Sequence, residues 1–215
     1  MRQAEHLAAA MGVRLIHLET NELDDERFAA NPPERCYYCK SELFAKLSEL
    51  AAANGLKYLL DGANADDVAD FRPGTRAEKE FHVRSPLREA GLTKDEIRAL
   101  SRHFGLPNWD KPSFACLSTR FPYGVRITEE KLTQIDESER FMRALGVGQL
   151  RVRHHGEIAR IEVSAPDIEL VIRHRAEIAA KLKSLGFAYV TLDLLGYRTG
   201  SMNETLSDET KRAAL

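Results

Sequence analysis

The sequence predicts an α/β protein in two parts: a parallel sheet with right-handed helical crossovers over residues 1–125, and a smaller α+β unit over 126–215. Three observations carry this. Helical periodicity alternates with short apolar runs up to an irregular segment at 107–127. Beyond that segment the order becomes helix, two strands, helix, strand. A chain of 215 residues with 43% apolar side chains also has enough material for a sizeable core.

The elements follow in order. Gln3 to Met11 reads as a helix ended by Gly12, and Val13 to Leu18 as a short strand. Pro32-Pro33 stops regular structure. Leu43, Phe44, Leu47 and Leu50 recur at helical spacing, so Lys40 to Asn54 is a helix with Gly55 as its C-cap. Leu56 to Leu60 is an apolar run ending in Asp61-Gly62, the pattern of a buried parallel strand that feeds a loop. Thr93 and Glu96 form a capping box for a helix closing at Gly105. In the second part, helix 129–145 ends at Gly146. Strands near 149–154 and 157–163, helix 167–184 and strand 187–194 complete the reading.

Composition excludes several classes. No apolar run reaches the ~20 residues of a membrane span, and the start lacks a signal peptide's apolar core. Three cysteines, an odd number, do not build a secreted disulfide scaffold. The expectation is a cytoplasmic enzyme. A net charge of −2 argues against a nucleic-acid-coating protein. That charge is uneven: residues 1–70 hold 7 basic and 13 acidic side chains, and residues 71–126 hold 11 and 6. Arginines in the basic stretch, among them Arg72, Arg84, Arg88, Arg120 and Arg126, suit bidentate capture of phosphate or carboxylate. They also fit a solvated face that balances the acidic first third.

Cys36 and Cys39 form a C-x2-C, and Cys116 lies in a Pro-broken loop beside cations. Two thiolates at that spacing can grip one metal, and nearby cations lower a thiol's pKa. Three cysteines suit an iron–sulfur cluster with one open iron. A structural zinc with His82 or His103 as fourth ligand, or unreactive core thiols, fit the same residues.

Several stretches resemble one family. They are Asn31-Pro-Pro-Glu-Arg-Cys-Tyr-Tyr-Cys-Lys40, Asp61-Gly-Ala-Asn-Ala-Asp-Asp67, Arg72-Pro-Gly74 and Arg84-Ser-Pro-Leu-Arg-Glu-Ala-Gly91. Trp109-Asp-Lys-Pro-Ser113 through Cys116 to Tyr123-Gly124, Leu150-Arg-Val-Arg-His154, Asp193-Leu-Leu-Gly-Tyr-Arg198 and Gly200-Ser-Met-Asn203 continue the match in the same order. Together they resemble the LarE family of ATP-dependent sacrificial sulfur transferases. The resemblance implies a PP-loop ATP pyrophosphatase-type sheet, followed by a substrate-binding and oligomerising α+β domain, in a homo-oligomer. It implies a substrate as well: a pyridinium-3,5-biscarboxylic acid mononucleotide, adenylated by ATP with Mg2+ and converted to a thiocarboxylate. That product leads to the nickel-pincer nucleotide of lactate racemase. Cys116 matches the cysteine that surrenders its sulfur, while Cys36, Cys39 and Cys116 together match members that hold a [4Fe-4S] cluster.

The resemblance further implies that Arg151 and Arg153 contact the substrate phosphate, and that Ser118, Arg120 and Glu139 contact substrate. Asn64, Asp66, Asp67 and Arg72 would then face nucleotide. On the residues alone, Asp66 and Asp67 equally fit a capping role, and Glu139 a solvated helical acid. The family's S-G-G-x-D-S segment, whose amides cradle pyrophosphate, is not in the sequence. The expectation is a chain without the family's first βαβ unit. Related readings are a tRNA thiolase of the same superfamily, or a non-catalytic subunit.

Overall fold

The computed structural model describes residues 2–69, 71–111 and 114–214. Its contacts divide the chain into two units, Met1–Asn21 with Tyr37–Lys111, and Glu22–Cys36 with Pro112–Leu215. In chain order the helices are α1 (Arg2–Met11), α2 (Glu26–Ala29), α3 (Arg35–Ala53), α4 (Gly74–Glu80), α5 (Pro86–Glu89) and α6 (Lys94–His103). Then come α7 (Glu129–Ala144), strands β1 (Leu150–His155) and β2 (Ile158–Val163), helices α8 (Ile168–Arg173) and α9 (Arg175–Ser184), β3 (Tyr189–Leu192) and α10 (Asp208–Ala213). The class is mixed α/β. No helix among the described residues is long and apolar enough to cross a membrane.

In the first unit the capping box stands as expected: Thr93 Oγ1 accepts the Glu96 N–H at 3.4 Å, and Glu96 Oε2 accepts the Thr93 N–H at 2.8 Å. Glu78 is buried between Lys40, which donates to its Oε1, and Arg88, whose Nη1 lies 3.1 Å from Oε2. The two expected strands are absent. Residues 13–18 form no regular element, and 56–60 make only an isolated bridge, Leu60 with Arg84. Val13, Leu15, Leu56, Tyr58 and Leu60 are exposed. A strand needs a partner to satisfy its amides, and among the described residues these runs have none beyond that bridge. Helix α3 starts at Arg35 rather than Lys40, so it takes in the whole C-x2-C.

The second unit holds the sheet, in the order β1-β2-β3. β1 and β2 are antiparallel, and β2 and β3 run parallel, joined through α8 and α9. The expected helix 167–184 breaks at His174, which leaves helical geometry (φ −92°, ψ 11°). Helix α7 packs on β1 and α9, and α9 packs on β3. Ile135 and Met142 of α7, Ile178 and Leu182 of α9, and Leu150, Val152, Ile161 and Val163 of the sheet are all buried. Side chains alternate along a strand, and the register pairs Arg151 with Glu162 and Arg153 with Arg160. One face is therefore apolar, while the other carries Arg151, Arg153, His155, Arg160 and Glu162.

Candidate functional site

Cys116 opens the 3-10 turn Leu117–Arg120, and its thiol is exposed. Its carbonyl is held by the turn itself. Arg120 Nη1 donates to it at 3.0 Å and Thr119 Oγ1 at 2.7 Å, and Arg120 Nη1 also reaches the Ala115 carbonyl at 3.0 Å. Arg120 is itself buried, because its other edge is paired bidentately with Glu139 of α7: Nε to Oε1 at 2.7 Å and Nη2 to Oε2 at 3.0 Å. Fork-to-fork pairing of this kind fixes orientation as well as charge.

Glu139 joins three elements. Beyond Arg120 it accepts the backbone N–H of Val152 in β1 at 3.1 Å and pairs with Arg143 one turn along α7. Burial alone would raise its carboxyl pKa. The Arg120 hydrogen bonds and charge, the Val152 amide and Arg143 outweigh that and hold it below the ordinary carboxylate value. The expected reading of Glu139 as a solvated helical acid is overturned by its complete burial.

On the polar face of the sheet, Arg153 donates from Nη1 to the Thr119 carbonyl at 2.7 Å, and from Nη2 to Glu162 Oε2 at 2.7 Å and Ser201 Oγ at 2.9 Å. Arg151 donates to the Leu150 carbonyl at 2.7 Å, and its guanidinium lies 5.1 Å from the centre of the Tyr197 ring. Burial holds Arg151 below the usual guanidinium range, and the nearby positive charges of Arg120 and Arg153 push the same way against Tyr197 and Glu139. The solvated-face alternative for these two arginines is likewise overturned, since both are buried. Three guanidiniums thus gather behind the Cys116 turn, with Glu139 and Glu162 as buried counter-charges to Arg120 and Arg153. Ser118, in the same turn, is buried.

The segment that follows β3 closes this face. Gly196 has φ +66°, and a Cβ there would stand 2.6 Å from the Val163 carbonyl, so only glycine lets the chain pass. Tyr197 and Ser201 then reach Arg151 and Arg153 as described, and Asn203 Oδ1 accepts the Tyr123 hydroxyl at 2.9 Å. Tyr123 also lies under Arg35, with 4.7 Å between guanidinium and ring centre, and Arg35 Nη1 donates to Asn31 Oδ1 at 2.6 Å. Arg35 directly precedes the C-x2-C. The sequence reading missed Glu162 and the partners of Tyr197 and Ser201. The latter two lie within its quoted motifs, whereas Glu162 had no signal beyond strand alternation.

The cysteines are placed separately in the chain: Cys36, exposed, and Cys39, half-buried, sit one turn apart in α3, and Cys116 sits on its own loop. Among the described residues no three His, Cys, Asp or Glu side chains gather to hold a metal ion. The expected nucleotide residues bond to one another and to the start of α6. Asp67 Oδ2 accepts the Asn64 N–H at 2.9 Å, and its Oδ1 pairs with Arg72 at 2.7 Å. Asn64 Oδ1 accepts the Asp66 N–H at 3.0 Å, and Asp66 Oδ2 accepts the Lys94 N–H at 2.8 Å, capping α6. Pro112 and Ser113 of the Cys116 motif lie outside the described residues.

No protein-family model matches the chain. It is 44% identical over 209 residues to an uncharacterized protein of Synechocystis sp., covering 96% of the chain and 78% of that protein. It is 39% identical over 205 residues to the pyridinium-3,5-bisthiocarboxylic acid mononucleotide synthase of Lactiplantibacillus plantarum, covering 95% of the chain and 74% of the synthase. An uncharacterized protein of Methanocaldococcus jannaschii is 32% identical over 191 residues, covering 89% of the chain and 75% of that protein.

Proposed function

The chain belongs to the LarE family, that of the pyridinium-3,5-bisthiocarboxylic acid mononucleotide synthase, and on that premise we propose an enzyme that uses ATP to place sulfur on a carboxylate of a pyridinium mononucleotide. Residues 1–125 then belong to a PP-loop-type nucleotide domain and 126–215 to a substrate-binding domain that assembles into a homo-oligomer. The observation that carries the reading is the exposed Cys116, whose carbonyl is gripped by the buried Arg120, beside Arg151 and Arg153.

A carboxylate resists attack until one oxygen becomes a leaving group. In the proposed sequence a substrate carboxylate oxygen attacks the α-phosphorus of ATP and pyrophosphate departs. The Cys116 thiolate then adds to the acyl carbon, and the C–O bond to AMP breaks with its electron pair leaving on AMP. Loss of the Cys116 Cα proton to a base breaks the Cβ–S bond. That step leaves dehydroalanine in the chain and a thiocarboxylate on the product. Arg120 fixes the turn that presents the thiol, and Arg151 and Arg153 hold the substrate phosphate.

Intact-chain mass spectrometry after one turnover tests this. The chain is expected to become lighter by one hydrogen sulfide, with one AMP released per thiocarboxylate, and Cys116→Ala to make none. Product formation by Cys116→Ala would overturn the assignment. The spacing of Cys36 and Cys39 on one helical turn favours a second reading, a three-cysteine iron–sulfur centre. Anaerobic reconstitution decides between them: bound iron, with transfer lost in Cys36→Ala and Cys39→Ala, selects the cluster, whereas full transfer by both variants selects Cys116 alone.

A further inference from the structure

The polar face of the sheet carries more donors than the Arg151–Arg153 pair accounts for. Arg153 and Arg160 stand directly opposite each other in the β1–β2 register, a like-charge pairing that destabilises a sheet unless a counter-charge lies between. Glu162 supplies part of it, with Oε2 on Arg153 Nη2 at 2.7 Å and Oε1 on Arg160 Nη2 at 2.8 Å. Both carboxylate oxygens are thereby engaged through the Nη2 ends. The Nε atoms of Arg153 and Arg160 are buried without a hydrogen-bond partner, and so is Nε2 of His155. Asp193 Oδ2 stands 3.7 Å from Arg160 Nε, beyond hydrogen-bond reach. Orphaned buried donors cost free energy, and one in a native site calls for an explanation.

Here three such nitrogens occupy neighbouring positions of one face. His155 follows Arg153 by two residues and so shares its side of β1. The three nitrogens are themselves buried, but Arg160 keeps 32% of its side chain exposed, so the group lies directly beneath the surface at that residue. Burial, then the charges of Arg160 and Arg153, push His155 toward its neutral form against Glu162. A neutral imidazole still offers one N–H donor.

We propose that Arg160 and His155 form a second anion subsite, adjoining Arg151 and Arg153, that takes a carboxylate of a ligand whose phosphate lies on those two arginines. The proposal rests on the pyridinium mononucleotide reading above, because that substrate carries a phosphate and carboxylates on one molecule. Strand geometry suits it: alternate residues stand ~7 Å apart along β1, and opposed residues ~5 Å apart across the ladder. One ligand can then span both groups of donors.

Calorimetric titration of the full chain with nicotinate mononucleotide and nicotinamide mononucleotide tests this, since the two differ only in carboxylate against carboxamide. The wild-type chain is expected to bind the nicotinate compound about tenfold tighter, the size of a charge-assisted hydrogen bond. Arg160→Gln is expected to bring the two within about twofold, mostly by weakening the nicotinate compound. Arg160→Lys keeps a positive charge toward Glu162 and is expected to fold and retain part of the preference. Equal binding of the two by the wild type overturns the subsite, as does an undiminished preference in Arg160→Gln. Equal weakening of both compounds in both variants overturns it too. If neither mononucleotide binds, 3-phosphoglycerate against glycerol 3-phosphate separates the two failures. An Arg160-dependent preference for 3-phosphoglycerate keeps the subsite and removes the pyridinium reading, and no preference removes both.

Discussion

Strand β1 is buried twice over, for opposite reasons on its two faces. Leu150 and Val152 turn toward α7, and Arg151 and Arg153 turn the other way, yet none of the four is more than 5% exposed. The apolar face contributes in proportion to the area it removes from water, at about 25 cal/mol per Å2. The charged face is costly to desolvate and stays folded only because each guanidinium has fixed partners. One face supports the fold, and the other is held in place by it. A protein that needs concentrated positive charge behind a thiol has to set it on such a scaffold, because solvent would otherwise screen it.

The sharpest way to break this comparison is to remove the acid that ties both faces together. Glu139→Leu takes the partner from Arg120, from Arg143 and from the Val152 amide at once. Leaving a buried guanidinium without its carboxylate costs about 3–5 kcal/mol. Urea denaturation should show a loss of that size, and the Cys116 turn should lose its fixed geometry and its sulfur transfer. A loss below about 1 kcal/mol would mean that the pair is solvated in solution.

Protons probe the same contrast. Burial pushes both His154 and His155 below the ordinary histidine value of 6.5. The unfolded chain therefore takes up protons that the folded one refuses. Their contribution to stability is complete above pH 6.5 and is lost as pH falls below it, by no more than about 1.4 kcal/mol per pH unit for each group. Glu139, held below the ordinary 4.5, has the same sign, and its contribution drains away only at more acid pH. Unfolding free energies measured from pH 8 to 4 should fall in that order. His154 lies between Phe121 and Phe187, with ring centres 5.2 and 5.5 Å away, so His154→Leu should fold and flatten the first part of the slope.

How much of this was legible in the sequence depended on how far apart the interacting residues lie. Helix α7 and strands β1 and β2 were read to within a residue or two, because period and cap are local signals. The strands at 13–18 and 56–60 were read from apolar runs alone, and a run becomes a strand only when a distant partner meets it. The C-x2-C was read as preceding a helix and proved to lie within α3, since nothing in residues 35–39 forbids the helix once Pro33 has passed. The tie between Arg120 and the Cys116 carbonyl was legible, because the two lie four positions apart. Glu139 was not, because a mid-helix acid looks alike whether it faces water or a buried arginine nineteen positions away. Asp66 and Asp67 were read as either nucleotide-facing or capping residues, and the capping alternative has a bond to match it: Asp66 Oδ2 accepts the Lys94 N–H at the start of α6, while Asp67 accepts the Asn64 N–H.

Two smaller substitutions separate the faces cleanly. Ile161→Val trims one methylene from the apolar side and should cost about 1 kcal/mol, with the affinity for inorganic phosphate unchanged. Ser201→Ala acts on the other side. Its Oγ accepts from Arg153 Nη2 at 2.9 Å and lies 3.4 Å from both oxygens of Glu162, so it joins the segment after β3 to the buried ion pair. Losing one such bond should cost about 1 kcal/mol or less, since Glu162 still holds the same nitrogen. The effect on phosphate should be the more telling one. With one restraint gone Arg153 has more freedom to lose on binding, and the dissociation constant for inorganic phosphate should rise about two- to threefold. A stability loss with unchanged phosphate affinity would show that the segment only packs against the sheet. A change in affinity that Ile161→Val does not share would show that it positions the charge.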